Sequence, residues 1–290
     1  MTDYPKISEE RLQVIDNIRR ALEDGDTFRK VELHDPTLTD EQIQKVLIPF
    51  DILKKNPINR LKANIAIKIG EGLTKKLNTR TVIVGLENAL SVKGGAIVTS
   101  NHFNVMDNTI IRVFAGKCGR KRKLSVVVQG TNIFMGGLFG FLMKNGYTLP
   151  LAPSVKYMAK SFKPAVKKVL EDGRFVLIYP EAEMWFNYKK PRPLREGAYQ
   201  IACDNNVPVI PCFVEMRECE GFDSDGIRNV RHVLHVLPPI YPDTSISPRE
   251  ARAKMQREDY EARCRCYEEV YGIPLDGEFI PERDIAGYHT

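Results

Sequence analysis

Cysteine pairs, long apolar runs and a strong charge of one sign are all missing from this chain of 290 residues and 33.0 kDa. Its six cysteines (118, 203, 212, 219, 264 and 266) form no C-x-x-C pair and no zinc-like spacing. That argues against a disulfide scaffold or a thiolate metal site and points to reduced thiols in a cytoplasmic protein. A membrane-spanning helix needs about 20 mostly apolar residues. The nearest approach, Leu124–Met143, carries no charge but holds Ser125, Gln129, Thr131, Asn132 and glycines 130, 136, 137 and 140. It is too polar and too flexible for a stable span. The opening stretch MTDYPKISEERLQ is acidic without an apolar run, so no signal peptide is expected. Lys plus Arg exceed Asp plus Glu by only 43 to 37, a net +6. This mild bias suits an anionic membrane face or a phosphorylated substrate and is too weak for a nucleic-acid binder.

What is present is an ordinary soluble composition, 43% hydrophobic and 28% charged, with no internal repeat or low-complexity tract. The length suits one large domain, or one domain with an appendage. Residues 1–77 read as helical. Ser8 is placed to cap a helix running to about Leu22, with Glu9 and Glu10 in its first turn. Thr39 and Gln42 fit a capping box for a second helix that Pro49 stops near Ile48. Ile58–Leu77 has a third helical pattern. Strand-like stretches follow at Thr81–Val84, Ala96–Thr99, Leu124–Val128, Phe175–Tyr179, Val207–Phe213 and Val230–Leu237. Helix-like segments lie near 107–116, 157–171 and 195–204, and a charged helix spans about Pro248–Tyr271. This alternation predicts an α/β fold: a mixed, partly parallel sheet covered by helices, with a helical N-terminal portion. The expected division is 1–77 helical, 78–245 the α/β domain, and 246–290 a C-terminal helix and tail.

Chemistry is expected where the strand Ala96–Thr99 ends, because ligands of α/β sheets bind past the carboxyl ends of strands. The loop that follows contains His102 and, five residues on, Asp107; none of the other four histidines has an Asp at that spacing. When such a loop turns into a helix the two side chains can meet. The carboxylate then holds one imidazole nitrogen protonated and leaves the other as a general base. The spacing alone also fits a loop-capping His102 and a helix-capping Asp107. A second apolar strand, Phe175–Tyr179, ends in Pro180-Glu181, which carries a carboxylate to the same sheet edge.

Together these blocks resemble the glycerolipid acyltransferase family, of the lysophosphatidic acid acyltransferase type. Asn101, His102 and Asp107 match its Asn-His-x4-Asp block, and Tyr179, Pro180 and Glu181 match part of its Phe-Pro-Glu-Gly-Thr block. Arg195-Glu196-Gly197-Ala198 is similar to the family's basic-Gly-Ala helix start, and Val207-Pro208-Val209-Ile210-Pro211 to its Val-Pro-Ile-x-Pro strand. The likeness covers roughly residues 75–240. It implies transfer of a fatty acyl group from acyl-CoA or acyl carrier protein to a hydroxyl of a lysolipid. His102 would then be the general base and Asp107 its orienting carboxylate. Asn101 and Glu181 would contact substrate, with Lys156 and Arg195 as candidate cations. A thioester is already activated, and the sequence has no Gly-x-Ser-x-Gly elbow, so no acyl-enzyme is expected. No metal and no cofactor beyond the donor are expected, because His232 and His235 fall on opposite faces of a strand.

The departures are specific. After Glu181 the family's Gly-Thr, often followed by Arg, is replaced by Ala182-Glu183-Met184. The segment Gly146–Pro153, where the family carries a phosphate-binding Arg, has no basic residue. Besides Lys156 and Arg195, the cations Lys189, Lys190 and Arg192 are candidates to stand in. These losses leave open a relative that binds lipid or acyl carrier without turnover. The aromatic- and Gly-rich stretch 133–143 fits an acyl-chain lining, a bilayer-interface segment or a packed helix. The cluster Lys117, Arg120, Lys121, Arg122 and Lys123 ahead of it, and the mixed basic and apolar stretch Ile48–Ile69, fit a peripheral membrane surface. Trp185 fits an acceptor pocket, a lid or plain packing.

Overall fold

A computed structural model describes residues 4–33, 39, 41–42, 56–119 and 123–289. The chain starts with α1 (Glu9–Glu23), whose N-cap Ser8 accepts from the Arg11 amide as its sequence predicts. Thr39 and Gln42 make the reciprocal capping-box bonds, 2.9 and 3.3 Å. The rest of the segment expected as that second helix, and with it Ile48 to Lys55, lies outside the described residues, as do Arg120, Lys121 and Arg122. Next come α2 (Pro57–Leu77), β1 (Val82–Val84), α3 (Leu86–Leu90), β2 (Ala96–Thr99), α4 (Asn108–Lys117) and β3 (Leu124–Gln129). They are followed by α5 (Gly137–Asn145), β4 (Thr148–Leu151), α6 (Lys163–Glu171), β5 (Phe175–Ile178) and α7 (Gly197–Asn205). The chain ends in β6 (Val209–Phe222), β7 (Arg228–Val236), α8 (Pro248–Tyr271) and α9 (Pro281–Asp284).

The seven strands form one sheet in the order β1-β7-β6-β2-β5-β3-β4, parallel throughout except for the β6–β7 hairpin pairing. Its central strands are buried on both faces, which is why their sequences are near-continuous apolar runs. Ala96 and Val98 face one layer, with Ile110, Ile111 and Phe114 of α4. Ile97 and Val176 face the other, with Val166 of α6, Tyr199 of α7 and Met255 of α8. The period-2 alternation of a strand sorts these side chains. α1 joins a separate cluster with Trp185, Phe186, Tyr188, Ile227 and Ile285. No helix among the described residues is long and apolar enough to cross a membrane.

The short helices α3 and α9 lie outside the expected segments, and two strands depart from the sequence expectation. β4 was not expected, because Thr148-Leu149-Pro150-Leu151 puts a proline mid-strand; it is tolerated because β4 is an edge. β6 runs on to Phe222, well past Phe213. Beyond Met216 it leaves the two-sided core, and its pairing with β7 holds it. The segment 133–143 takes the packed-helix option in part: it holds most of α5, which lies against α2 and is only half-buried.

Candidate active site

β2 and β5 are parallel neighbours with Thr99 opposite Ile178, so the loops leaving both strands emerge side by side at one sheet edge. They are tied together by backbone bonds: the Trp185 amide donates to the His102 carbonyl and the Asn187 amide to the Phe103 carbonyl, both 3.0 Å.

Within this double loop His102 Nδ1 lies 2.7 Å from Asp107 Oδ2. The same oxygen accepts from the Phe103 and Asn104 amides at 3.1 and 3.3 Å. Asp107 stands at the N-cap position of α4 yet makes no side-chain capping bond. The helix-capping alternative therefore fails: the carboxylate is spent on the imidazole and its loop. Its second oxygen accepts the Tyr179 hydroxyl at 2.5 Å, and the Tyr179 ring stacks on His102 at 4.0 Å and 14°. Burial, reinforced by the Asp107 charge, pushes the Tyr179 phenol well up, so it stays a donor at any working pH. Asp107 is 3% exposed, whereas the His102 side chain keeps 22% of its surface open. His102 Nε2 has no protein partner among the described residues, and the ring lines a cavity of about 360 Å³. An imidazole held by a buried carboxylate through Nδ1, with Nε2 free in a cleft, can take a proton from a bound hydroxyl.

The other expected site residues separate. Arg195 lines the same cavity and stacks over the Phe28 ring at 3.7 Å. Asn101 does not reach the cavity: it is 2% exposed, and its amide donates to the Val214 carbonyl and accepts from the Val214 amide, at 3.1 and 2.8 Å. It fastens the loop to β6 instead of touching substrate. Glu181 is likewise withdrawn, paired with Arg192 at 3.0 Å and close to Arg263 at 3.9 Å, with the His102 amide at 3.4 Å. It fixes loop geometry. Lys156 is exposed and lies outside the cavity lining. Arg192 is consumed by Glu181, and Lys190 by Asp276 and Asp284. Trp185 is fully buried with its indole N–H on the Arg29 carbonyl, which is the packing role.

Beneath the loops lies a buried charge network that the sequence did not signal. Arg263 of α8 binds Asp259 at 2.7 Å, and Asp259 also accepts from Thr99 of β2 and Tyr199 of α7 at 2.7 and 2.8 Å. Helix spacing brings Asp259 and Arg263 together at i, i+4. Their reach to Glu181 needs the fold. Ala182, where the family has glycine, sits in the left-handed region at φ 68°, a conformation costly for a side chain. His235 is bound to Glu215 at 2.8 Å, and no metal-binding cluster occurs among the described residues.

Removing the Tyr179 hydroxyl is expected to act on turnover. Tyr179→Phe keeps the stacked ring but leaves one buried carboxylate oxygen of Asp107 without a donor, which costs about 1–3 kcal/mol. Turnover is expected to fall about tenfold with KM little changed, as steady-state kinetics would show. An unchanged kcat would remove Tyr179 from the machinery.

Residues 80–215, which hold both loops, match the family described as Acyltransferase. That match and the similar fold support the resemblance of these blocks to the glycerolipid acyltransferase family. The crystal structure of the 1-acyl-sn-glycerophosphate (LPA) acyltransferase PlsC from Thermotoga maritima is similar in fold. Its TM-score is 0.50 at 16% identity, over 92% of this chain and 98% of that one. None of the curated proteins matches the sequence.

Proposed function

We propose that this protein is an O-acyltransferase that moves a fatty acyl group from a thioester donor, acyl-CoA or acyl carrier protein, to a hydroxyl of a lysophospholipid. The observation that carries this reading is the His102 Nδ1–Asp107 Oδ2 contact of 2.7 Å on a residue that lines the cavity. In the proposed step Nε2 accepts the acceptor's hydroxyl proton while that oxygen attacks the thioester carbonyl. The tetrahedral adduct collapses by breaking the C–S bond, and the imidazolium returns the proton to the departing thiolate. Asp107 stabilises the transient imidazolium, so no acyl-enzyme is needed. A second, largely apolar cavity of about 980 Å³ lies between α2, α4 and α5 and shares Phe139 and Met143 with the catalytic one. It offers the volume an aliphatic chain requires.

Attachment to a membrane surface belongs to the same reading. On α2, Ile58, Leu61 and Ile65 are exposed at i, i+3 and i+7, the spacing of one helix face, among Arg60, Lys62 and Lys68. Leu61→Asp with Ile65→Asp is expected to reduce co-sedimentation with phosphatidylglycerol vesicles about tenfold or more, since each buried apolar side chain contributes roughly 1.5–3 kcal/mol. Equal binding by the variant would take this face out of the account.

The function is tested by free-thiol release from palmitoyl-CoA and from an acylated carrier protein, with and without lysolipids, followed by mass analysis of the product. Acceptor-dependent release supports the transferase. Donor binding without release under any acceptor supports a non-catalytic binder instead.

A further inference from the structure

Among the described residues the fully buried cations are each paired with a carboxylate, whereas the half-buried Arg112 at the site is not. Arg263 has Asp259, Arg192 has Glu181 and Lys190 has Asp284, at 2.7, 3.0 and 3.0 Å. Arg112 of α4 has no carboxylate within ion-pair distance among the described residues. Its Nε donates to Asn108 Oδ1 at 3.2 Å and its Nη1 to the Leu124 carbonyl at 3.3 Å. Those two neutral acceptors hold the guanidinium in place, and Nη2 has no protein acceptor among the described residues. Burial lowers its affinity for the proton, and Arg174 nearby adds like charge; Tyr179 and Tyr147 are the neighbours that favour the charged form most. Glu71 faces it from α2, beyond ion-pair distance. A guanidinium stays charged in proteins, and a desolvated charge without a counter-ion is unfavourable. Arg174 lacks a carboxylate too and its Nε has no hydrogen-bond partner, but its guanidinium lies over the Tyr147 ring at 4.6 Å, its Nη2 donates to Ser125 at 2.9 Å, and it lines neither cavity.

The position of Arg112 says what the missing counter-ion is for. Ile110, Ile111 and Phe114 turn one face of α4 into the sheet core, while Asn108 and Arg112, one turn apart, look away from it. These two, with Phe139 and Met143, line both the catalytic cavity and the large apolar one, so Arg112 stands where the two meet. Its field is felt at Tyr179, which bonds Asp107. We infer that Arg112 is an anion-binding residue of the substrate site, holding a phosphate at the junction of the two cavities and fixing the substrate relative to His102. The proposal rests on the acyltransferase reading. A planar fork with free N–H donors fits a phosphate mono- or diester. That phosphate is carried either by the lysolipid headgroup or by the thioester donor.

The test compares Arg112→Gln and Arg112→Lys with the full-length wild type. Rates are measured on lysophosphatidic acid and on a monoacylglycerol of the same chain, and with palmitoyl-CoA and a phosphate-free palmitoyl thioester of N-acetylcysteamine. For a headgroup phosphate, the kcat/KM ratio of phosphorylated over neutral acceptor falls about tenfold to a hundredfold in Arg112→Gln, the size of a lost charged hydrogen bond. Arg112→Lys keeps the charge but loses the fork, and falls in between. For a donor phosphate, the CoA over N-acetylcysteamine ratio falls instead, which also upholds the proposal. Transfer with both ratios unmoved overturns the anion site and leaves the catalytic reading standing. If no donor–acceptor pair is turned over, the catalytic reading fails. Calorimetric titration of lysophosphatidic acid and of palmitoyl-CoA then decides: weakening of either about tenfold in Arg112→Gln upholds the site, and unchanged binding of both overturns it.

Discussion

Replacing His102 by alanine is expected to reduce acyl transfer by between about a hundredfold and ten-thousandfold, the usual contribution of a positioned general base. The fold should survive. The side chain lies at the cavity wall, the loop keeps the backbone bond from Trp185, and Asp107 keeps its donors from Phe103, Asn104 and Tyr179. With those bonds intact, loss of stability should stay near the small cost of a partly exposed substitution, about 1 kcal/mol or less. The comparison to make is initial rate against denaturant midpoint on the same preparation. A collapse of the midpoint along with the rate would mean that His102 holds the loop and does no chemistry.

Asp107→Asn isolates the charge from the geometry. An asparagine oxygen can face His102 Nδ1 and the Phe103 and Asn104 amides, as the aspartate Oδ2 does. Its NH2 then faces Tyr179, whose hydroxyl can turn from donor to acceptor. The imidazole keeps its orientation and tautomer, but the cation formed during transfer loses its buried counter-charge. Turnover is expected to fall by about a hundredfold to ten-thousandfold, with KM changed far less. Because the two residues act as a unit, the double variant His102→Ala with Asp107→Asn should be no slower than His102→Ala alone. Multiplicative losses would mean two independent roles.

Local signals carried much of the architecture. β2 spans Ala96–Thr99 and α8 spans Pro248–Tyr271, with the bounds their apolar run and cap residues predict, and α8 has the full Ser247–Glu250 capping box. The His102–Asp107 pair was legible because both partners lie on one short loop. What escaped the sequence is non-local. Asn101 is a hydrogen-bond mimic for a strand residue 113 positions away, and nothing near it in the chain says so. Glu181 belongs beneath the site because Arg263, on a distant helix, meets it only after the sheet is assembled. The missing phosphate-binding Arg directed attention to Lys156, Lys189, Lys190, Arg192 and Arg195. Arg112 lies outside that segment, though one signal was available: it is the single charged residue between Asp107 and Lys117.

The central claim is that His102, held by Asp107, activates an acceptor hydroxyl against a thioester. Free-thiol release from palmitoyl-CoA in the presence and absence of a lysophospholipid, with wild type beside His102→Ala, tests it most directly. The account predicts release that depends on the acceptor, yields the diacylated product by mass, and is lost in the variant. Release that proceeds at the wild-type rate in His102→Ala, or that ignores the acceptor and yields only free fatty acid, would contradict it.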